Sequence, residues 1–147
     1  MSRVASTVGD FARRGFDSPA TAAATWARLP ESGDEPLIGL DAFDAAADRD
    51  RALDVVVRLA QEAPALLAEV AANPDWLRRL VVVSGASTVL GQFLARHPDE
   101  VEGLRSERPP RDAAGWRAFY GERVEVVDGV ATGASDDLRR AHHAALV

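Results

Sequence analysis

Four of the eight prolines do most to limit what this chain can become. Pro19, Pro64, Pro74 and Pro98 stand at the edges of apolar stripes with helical spacing. A proline inside a helix removes a backbone hydrogen bond and clashes with the preceding turn. The stripes must therefore be separate helices of modest length rather than one long rod. Asp17-Ser18-Pro19 and Asn73-Pro74 read as starts, a capping side chain followed by a residue whose backbone is preset for the first turn. Pro98 forces a stop at His97.

Between these marks the apolar residues recur every three or four positions. A short alanine-rich helix follows Pro19 to about Arg28. A polar connector from Pro30 to Pro36, with Gly33 inside it, precedes Leu37, Leu40 and Phe43 at helical spacing. The clearest helix runs over 50–63, where Leu53, Val56, Val57 and Ala60 line one face and the acidic start suits the helix dipole. Leu66, Leu67, Val70 and Ala71 form the next stripe, and Trp76, Leu77, Leu80 and Val81 the one after. Gly85 is expected in the left-handed conformation that ends that helix. Ser87 is expected to cap its successor, which buries Val89, Leu90, Phe93 and Leu94.

Beyond Leu104 the pattern thins. RSERPPRD is a polar connector, and Trp116 to Tyr120 fits a helical turn or a docked loop. VEVVDGVAT, residues 124–132, is the one strand-like stretch; Asp128-Gly129 signals a hairpin turn, with an irregular loop as the alternative. Ser135, Asp136 and Asp137 open a last helix through Leu138, Ala141 and Leu146. The fold expected is all-α, an antiparallel bundle or array of short helices, with room for one small β-hairpin near 124–132. Residues 1–16 are expected as a flexible N-terminus, 17–104 as the helical domain, 105–134 as a loop or hairpin connector, and 135–147 as the start of a truncated helix.

Composition removes whole classes of chemistry. All 17 basic residues are arginine, so a P-loop lysine, a Schiff-base lysine and a kinase-type lysine are excluded. With no cysteine there is no thiolate catalysis, disulfide or thiolate metal site. A net charge of -6 opposes a sequence-independent grip on nucleic acid or anionic membrane. No run approaches the roughly 18 apolar residues of a membrane span, and the N-terminus lacks the apolar core of a secretory signal; a soluble, cytoplasmic protein is expected.

The candidate motifs all have structural readings. Ser84-Gly85-Ala86-Ser87 running into VLGQFLARHP lacks the final glycine of a nucleophile elbow and the lysine of a phosphate loop. As a helix-turn-helix it would offer Ser87, Thr88, Gln92 and Arg96 as base readers, with Asp99, Glu100 and Glu102 set against the phosphates. Asp48-Arg49-Asp50 resembles a metal-holding Asp-x-Asp pair but stands at the mouth of a helix, where aspartates cap. His97, His142 and His143 lack a companion at ligand spacing. Trp26, Trp76 and Trp116 sit near apolar stripes as core anchors, and the arginines read as solvated ion-pair partners. No catalytic, cofactor-binding or metal-binding residue is assigned.

Taken in order, GFDSPATAAATWARLP, DRDRALDVVVRLAQEAPALLAEV and NPDWLRRLVVVSGASTVLGQFLARHPDEVEGL resemble the N-terminal region of actinobacterial bifunctional glutamine synthetase adenylyltransferase/adenylyl-removing enzymes. The likeness spans Gly15 to Leu104, its most specific piece being SGAS-x-x-LG-x-FL-x-RHP; SDDLRRAHHAALV looks like the start of the arginine- and alanine-rich helix that follows. The resemblance implies a larger enzyme using ATP and magnesium, acting on glutamine synthetase under a PII-type regulator. This chain would be the helical lead-in of its adenylyl-removing half, packed against the remaining domains. That half's glycine-rich loop and Asp-x-Asp pair have no counterpart here, so no site residue carries over. The competing readings are a standalone helical interaction module and a degenerate helix-turn-helix DNA-binding domain.

Overall fold

A computed structural model describes residues 7–32, 35–106, 111–122, 125–127, 130–132 and 135–146. The chain divides into two compact units, Met1–Arg105 and Ser106–Val147. Gly33, residues 107–110 and Asp128-Gly129, which the sequence assigns to connectors and a turn, lie outside the described residues.

The first unit is built on a central helix. Helices α1 (Val8–Arg13) and α2 (Pro19–Trp26) come first, then a short antiparallel strand pair, β1 (Glu31–Ser32) with β2 (Glu35–Pro36), and a 3-10 helix over Leu40–Ala45. Then follow α3 (Arg49–Glu62), α4 (Pro64–Ala71), α5 (Pro74–Ala86), α6 (Thr88–Arg96) and a second 3-10 helix over Pro98–Leu104. Pro64 and Pro74 occupy first-turn positions, and α6 closes before Pro98, so the proline punctuation is realised as steric rules require.

Helix α3 touches α2, α4, α5, α6 and the 40–45 turn. Its buried set is accordingly wider than the single stripe expected: Ala52, Val55 and Leu59 join Leu53, Val56 and Val57. Burying each large aliphatic side chain contributes about 1.5–3 kcal/mol before entropy is charged against it, so this helix is the main source of cohesion. Trp76 packs at 1% exposure and donates its indole N–H to the Val101 carbonyl at 2.9 Å, tying α5 to the 98–104 turn.

Three sequence expectations change in this unit. Within residues 1–16, expected as a flexible lead, Val8–Arg13 is helical, and Phe11 and Phe16 are buried. Phe11, Phe16, Trp26 and Phe43 form a ring of edge-on and tilted contacts with centroids 5.1–6.2 Å apart, holding α1 and α2 to the 40–45 turn. Ser18 stands at the N-cap of α2 without a side-chain cap bond; its backbone N–H is taken instead by the Asp50 carboxylate. Val89, expected in the core, is 56% exposed, because the buried face of α6 turns on Gly91, Phe93, Leu94 and Ala95.

The second unit comprises α7 (Ala113–Gly121), the antiparallel pair β3 (Glu125–Val127) with β4 (Val130–Thr132), and α8 (Ser135–Leu146). The hairpin reading of 124–132 is thus realised in its strands. Of the two readings of Trp116 to Tyr120, the helical one holds and runs longer than a turn. Asp112 starts it by accepting the Gly115 N–H at 2.7 Å, and Phe119 is buried. Arg111 lies over both the Trp116 and Phe119 rings, 5.0 and 4.3 Å from their centroids. Ala141 and Ala144 are buried on α8, and Leu146 is exposed. The whole is predominantly helical, and among the described residues no helix is long and apolar enough to cross a membrane.

Candidate functional site

The Ser84–Ser87 stretch, the most distinctive in the sequence, is the corner between α5 and α6. Ser87 ends the first helix and caps the second, its hydroxyl accepting the Leu90 N–H at 3.3 Å. Gly85 departs from expectation. It remains helical, and among the described residues the glycine with positive φ is Gly15. Gly85 is required by crowding rather than by backbone hand: a Cβ there would lie 2.8 Å from the Ala46 Cβ and 3.0 Å from the Asp48 carbonyl oxygen. Gly91 has the same role within α6, where a Cβ would meet the Val55 side chain at 3.0 Å and the Ser84 carbonyl at 3.3 Å. The two glycines let α3, α5 and α6 approach closely, and Ser84 is sealed at the junction.

This corner is a poor nucleophile site. Ser84 is fully buried, and Ser87 spends its hydroxyl on a backbone donor. The four residues that a DNA-reading helix would use, Thr88, Gln92 and Arg96 on α6 and Ser87 before it, differ in exposure: Thr88, Gln92 and Arg96 face outward with Val89, and Ser87 is half-buried.

Asp48 and Asp50 diverge. Asp48 caps α3 by accepting the Arg51 N–H at 2.9 Å and pairs with the Arg51 guanidinium at 2.9 Å. Asp50 reaches back to α2 and accepts the N–H groups of Asp17, at 2.7 Å, and Ser18, at 3.3 Å. Both carboxylates already hold fixed donors, so the pair does not fit a magnesium site that must bind a nucleotide triphosphate. Among the described residues no group of three or more His, Asp or Glu side chains could hold a metal. The His97 and Phe93 rings lie tilted with centroids 5.0 Å apart, and those of His142 and His143 are 6.0 Å apart with His142 exposed.

Arg13, Arg14 and Arg105 are the solvated ion-pair partners expected, with Asp10, Asp44 and Glu102, but three other arginines do more. Arg51 donates to the Gly85 carbonyl at 3.0 Å, so one side chain joins the first turn of α3 to the last turn of α5. Arg79 donates to the carbonyls of Leu104 and Arg105, closing the 98–104 turn onto α5. Arg49 reaches the carbonyls of Gly15 and Asp44 at 3.5 and 3.3 Å. These clasps answer carbonyls left over at helix and turn ends. No local sequence pattern announces them, because each partner lies more than 20 residues away or beyond a turn.

Between α3 and α6 runs a shallow groove of about 160 Å³, lined on one side by Arg51, Asp54 and Arg58 and on the other by Thr88 and Gln92. Asp54 and Arg58 are exposed along it, and Arg51 is half-buried.

Comparison with known proteins places this arrangement. Over its full length the chain is 33% identical to the bifunctional glutamine synthetase adenylyltransferase/adenylyl-removing enzyme of Cutibacterium acnes, in an alignment of 162 residues that takes up 16% of that protein. The protein of the same name from Streptomyces avermitilis is 37% identical over 141 residues, which are 87% of this chain and 14% of the relative. The chain thus spans 14–16% of the length of these curated relatives and is similar to a segment of them. No family model and no solved structure matches it.

Proposed function

We propose that this chain, alike throughout to a small segment of actinobacterial glutamine synthetase adenylyltransferase/adenylyl-removing enzymes, is a helical scaffold within such an enzyme and supplies none of its reacting groups. The observation that carries the reading is the pairing of full coverage of this chain with 16% coverage of the relative. It is supported by carboxylates at Asp48 and Asp50 that are committed to holding helices together. Nucleotidyl and phosphoryl transfer depend on metals and fixed cations to neutralise developing charge. In this reading ATP and magnesium are bound elsewhere in the parent polypeptide. The segment stands at the N-terminal side of the adenylyl-removing half, in the cytoplasm, and its partners are the remaining domains. Glutamine synthetase and a PII-type regulator act on the assembled enzyme.

The test is direct. The isolated chain, mixed with adenylylated glutamine synthetase, phosphate and magnesium, is expected to release no ADP, and with ATP and unmodified synthetase to transfer no AMP. Turnover by the isolated chain above a no-protein blank would overturn the scaffold reading.

A further inference from the structure

From Leu80 to Ala95 the sequence contains no charged residue, although 27% of the chain is charged. Interior positions explain only some of that run. Val82, Ala86, Thr88, Val89 and Gln92 are exposed, and Val83 and Leu90 are half-buried. The outward faces of α3 and the first half of α5 differ, exposing Asp54, Arg58 and Glu62 and then Asp75 and Arg78; α2 is likewise uncharged, but what it exposes is small, Ala20, Thr21 and Ala24. Four large apolar residues are exposed among the described residues. Two of them, Val8 and Leu146, lie near the ends of the chain, and the other two, Val82 and Val89, belong to this corner. Their positions follow from the packing of the corner itself. Gly85 lets it close on Ala46 and Asp48, just before α3, and Gly91 on Val55 of α3, which fixes the side left facing outward. An exposed helical surface that is apolar and depleted of charge has the composition of the centre of a protein interface, where desolvating ions would be costly.

We propose that the corner surface centred on Val82, Ala86 and Val89 is where the rest of the parent polypeptide packs against this unit. The inference rests on the scaffold reading above. The occupant is argued from length: the relatives contain more than five-sixths of their residues outside the matched segment, so an intramolecular partner is present at high effective concentration. The partner surface must itself be apolar where it covers Val82, Ala86 and Val89, which offer no ion with which to pair a buried charge; Thr88 and Gln92 border the groove that holds Arg51, Asp54 and Arg58, so polar and charged groups of the partner belong on that side.

Carbene footprinting, which labels accessible aliphatic side chains, tests this on two proteins. One is the isolated chain; the other is the Streptomyces avermitilis enzyme with this chain substituted for its matching segment. Val82 and Val89 are expected to label freely in the isolated chain and at least fivefold less in the long enzyme, with Ala20 on α2 equal in both. Val89→Asp should leave the isolated chain folded and should restore labelling of Val82 in the long enzyme. Equal labelling of Val82 and Val89 in the two proteins overturns the proposal, as does Val89→Asp leaving Val82 protected. Protection that appears in the isolated chain as its concentration rises assigns the patch to a second copy and also overturns it. An ADP-release assay on the same samples reports separately on the scaffold reading, so the two can fail independently.

Discussion

The corner between α5 and α6 and the arm made by α1 and α2 both pack against α3, but they are held by different physics. At the corner, Gly85 lets α5 meet Ala46 and the Asp48 backbone, Gly91 lets α6 meet Val55 and the Ser84 backbone, and Phe93 and Leu94 are buried on the same helix as Gly91. The arm is held by ring edges, Phe11 against Phe16 and Trp26, and by polar bonds near the surface. Asp50 receives the Asp17 and Ser18 N–H groups, and Arg14 pairs with Asp44 at 2.6 Å. Close packing tolerates little change of volume, whereas exposed polar bonds compete with water and salt. The corner should therefore respond to single methyl groups, and the arm to charge and ionic strength.

The largest expected effect is Phe93→Ala, at about 3–5 kcal/mol, since truncating a buried aromatic loses transfer energy and leaves a cavity. Phe93 is 5% exposed and lies beside the corner. A urea midpoint near that of the wild type would mean that α6 is not packed as described. Gly85→Ala comes next, at about 1–3 kcal/mol for overpacking, because the added methyl meets Ala46 and the Asp48 backbone rather than a flexible side chain. A neutral or stabilising outcome, as an ordinary exposed helical glycine would give, would remove the close approach from the account.

On the arm, Asp50→Asn should cost about 0.5–1.5 kcal/mol, the range for hydrogen bonds that water can partly replace. Amide exchange in α2 should quicken while the α5 core stays protected. Uniform quickening in both helices would show that arm and corner unfold as one. The smallest effect is at Asp10. The backbone N–H and hydroxyl of Thr7, and then the Arg13 guanidinium, lower its carboxyl below the ordinary aspartate value. A depressed folded-state value stabilises the fold above the unfolded aspartate pKa of about 3.9 and loses that contribution as pH falls through the lowered value. An NMR titration of Asp10 should therefore show a midpoint below that of a model aspartate, and Thr7→Ala should move it some of the way back.

What can be read from sequence follows the range of each interaction. The caps at Asp48, Asn73 and Ser87 are legible because each oxygen accepts an N–H three residues ahead, and a distance that short leaves a local pattern. The α7 start at Asp112 carries the same signal, weakened by Gly115 and the absence of a long stripe. Gly85 misleads because its reason lies on another element, at Ala46 and Asp48. Val89 misleads because periodicity gives a face but not its width, and α6 buries its small residues Gly91 and Ala95 where a larger stripe is expected. The arm escapes a sequence reading because Phe11 and Phe16 acquire partners only when Trp26 and Phe43 are brought beside them. The exclusion of lysine and cysteine chemistry is legible in the composition, while the uncharged outward surface of the corner needs the fold.

In the function proposed above, this segment supports chemistry performed elsewhere in the parent polypeptide, on its adenylyl-removing side. The most direct test of that function is to delete the matching segment from the Streptomyces avermitilis enzyme and to measure adenylyl removal and adenylyl addition on the same soluble preparation. Phosphorolytic removal is expected to fall by at least tenfold more than addition does. Equal loss of both activities, or retention of both, would contradict the proposal.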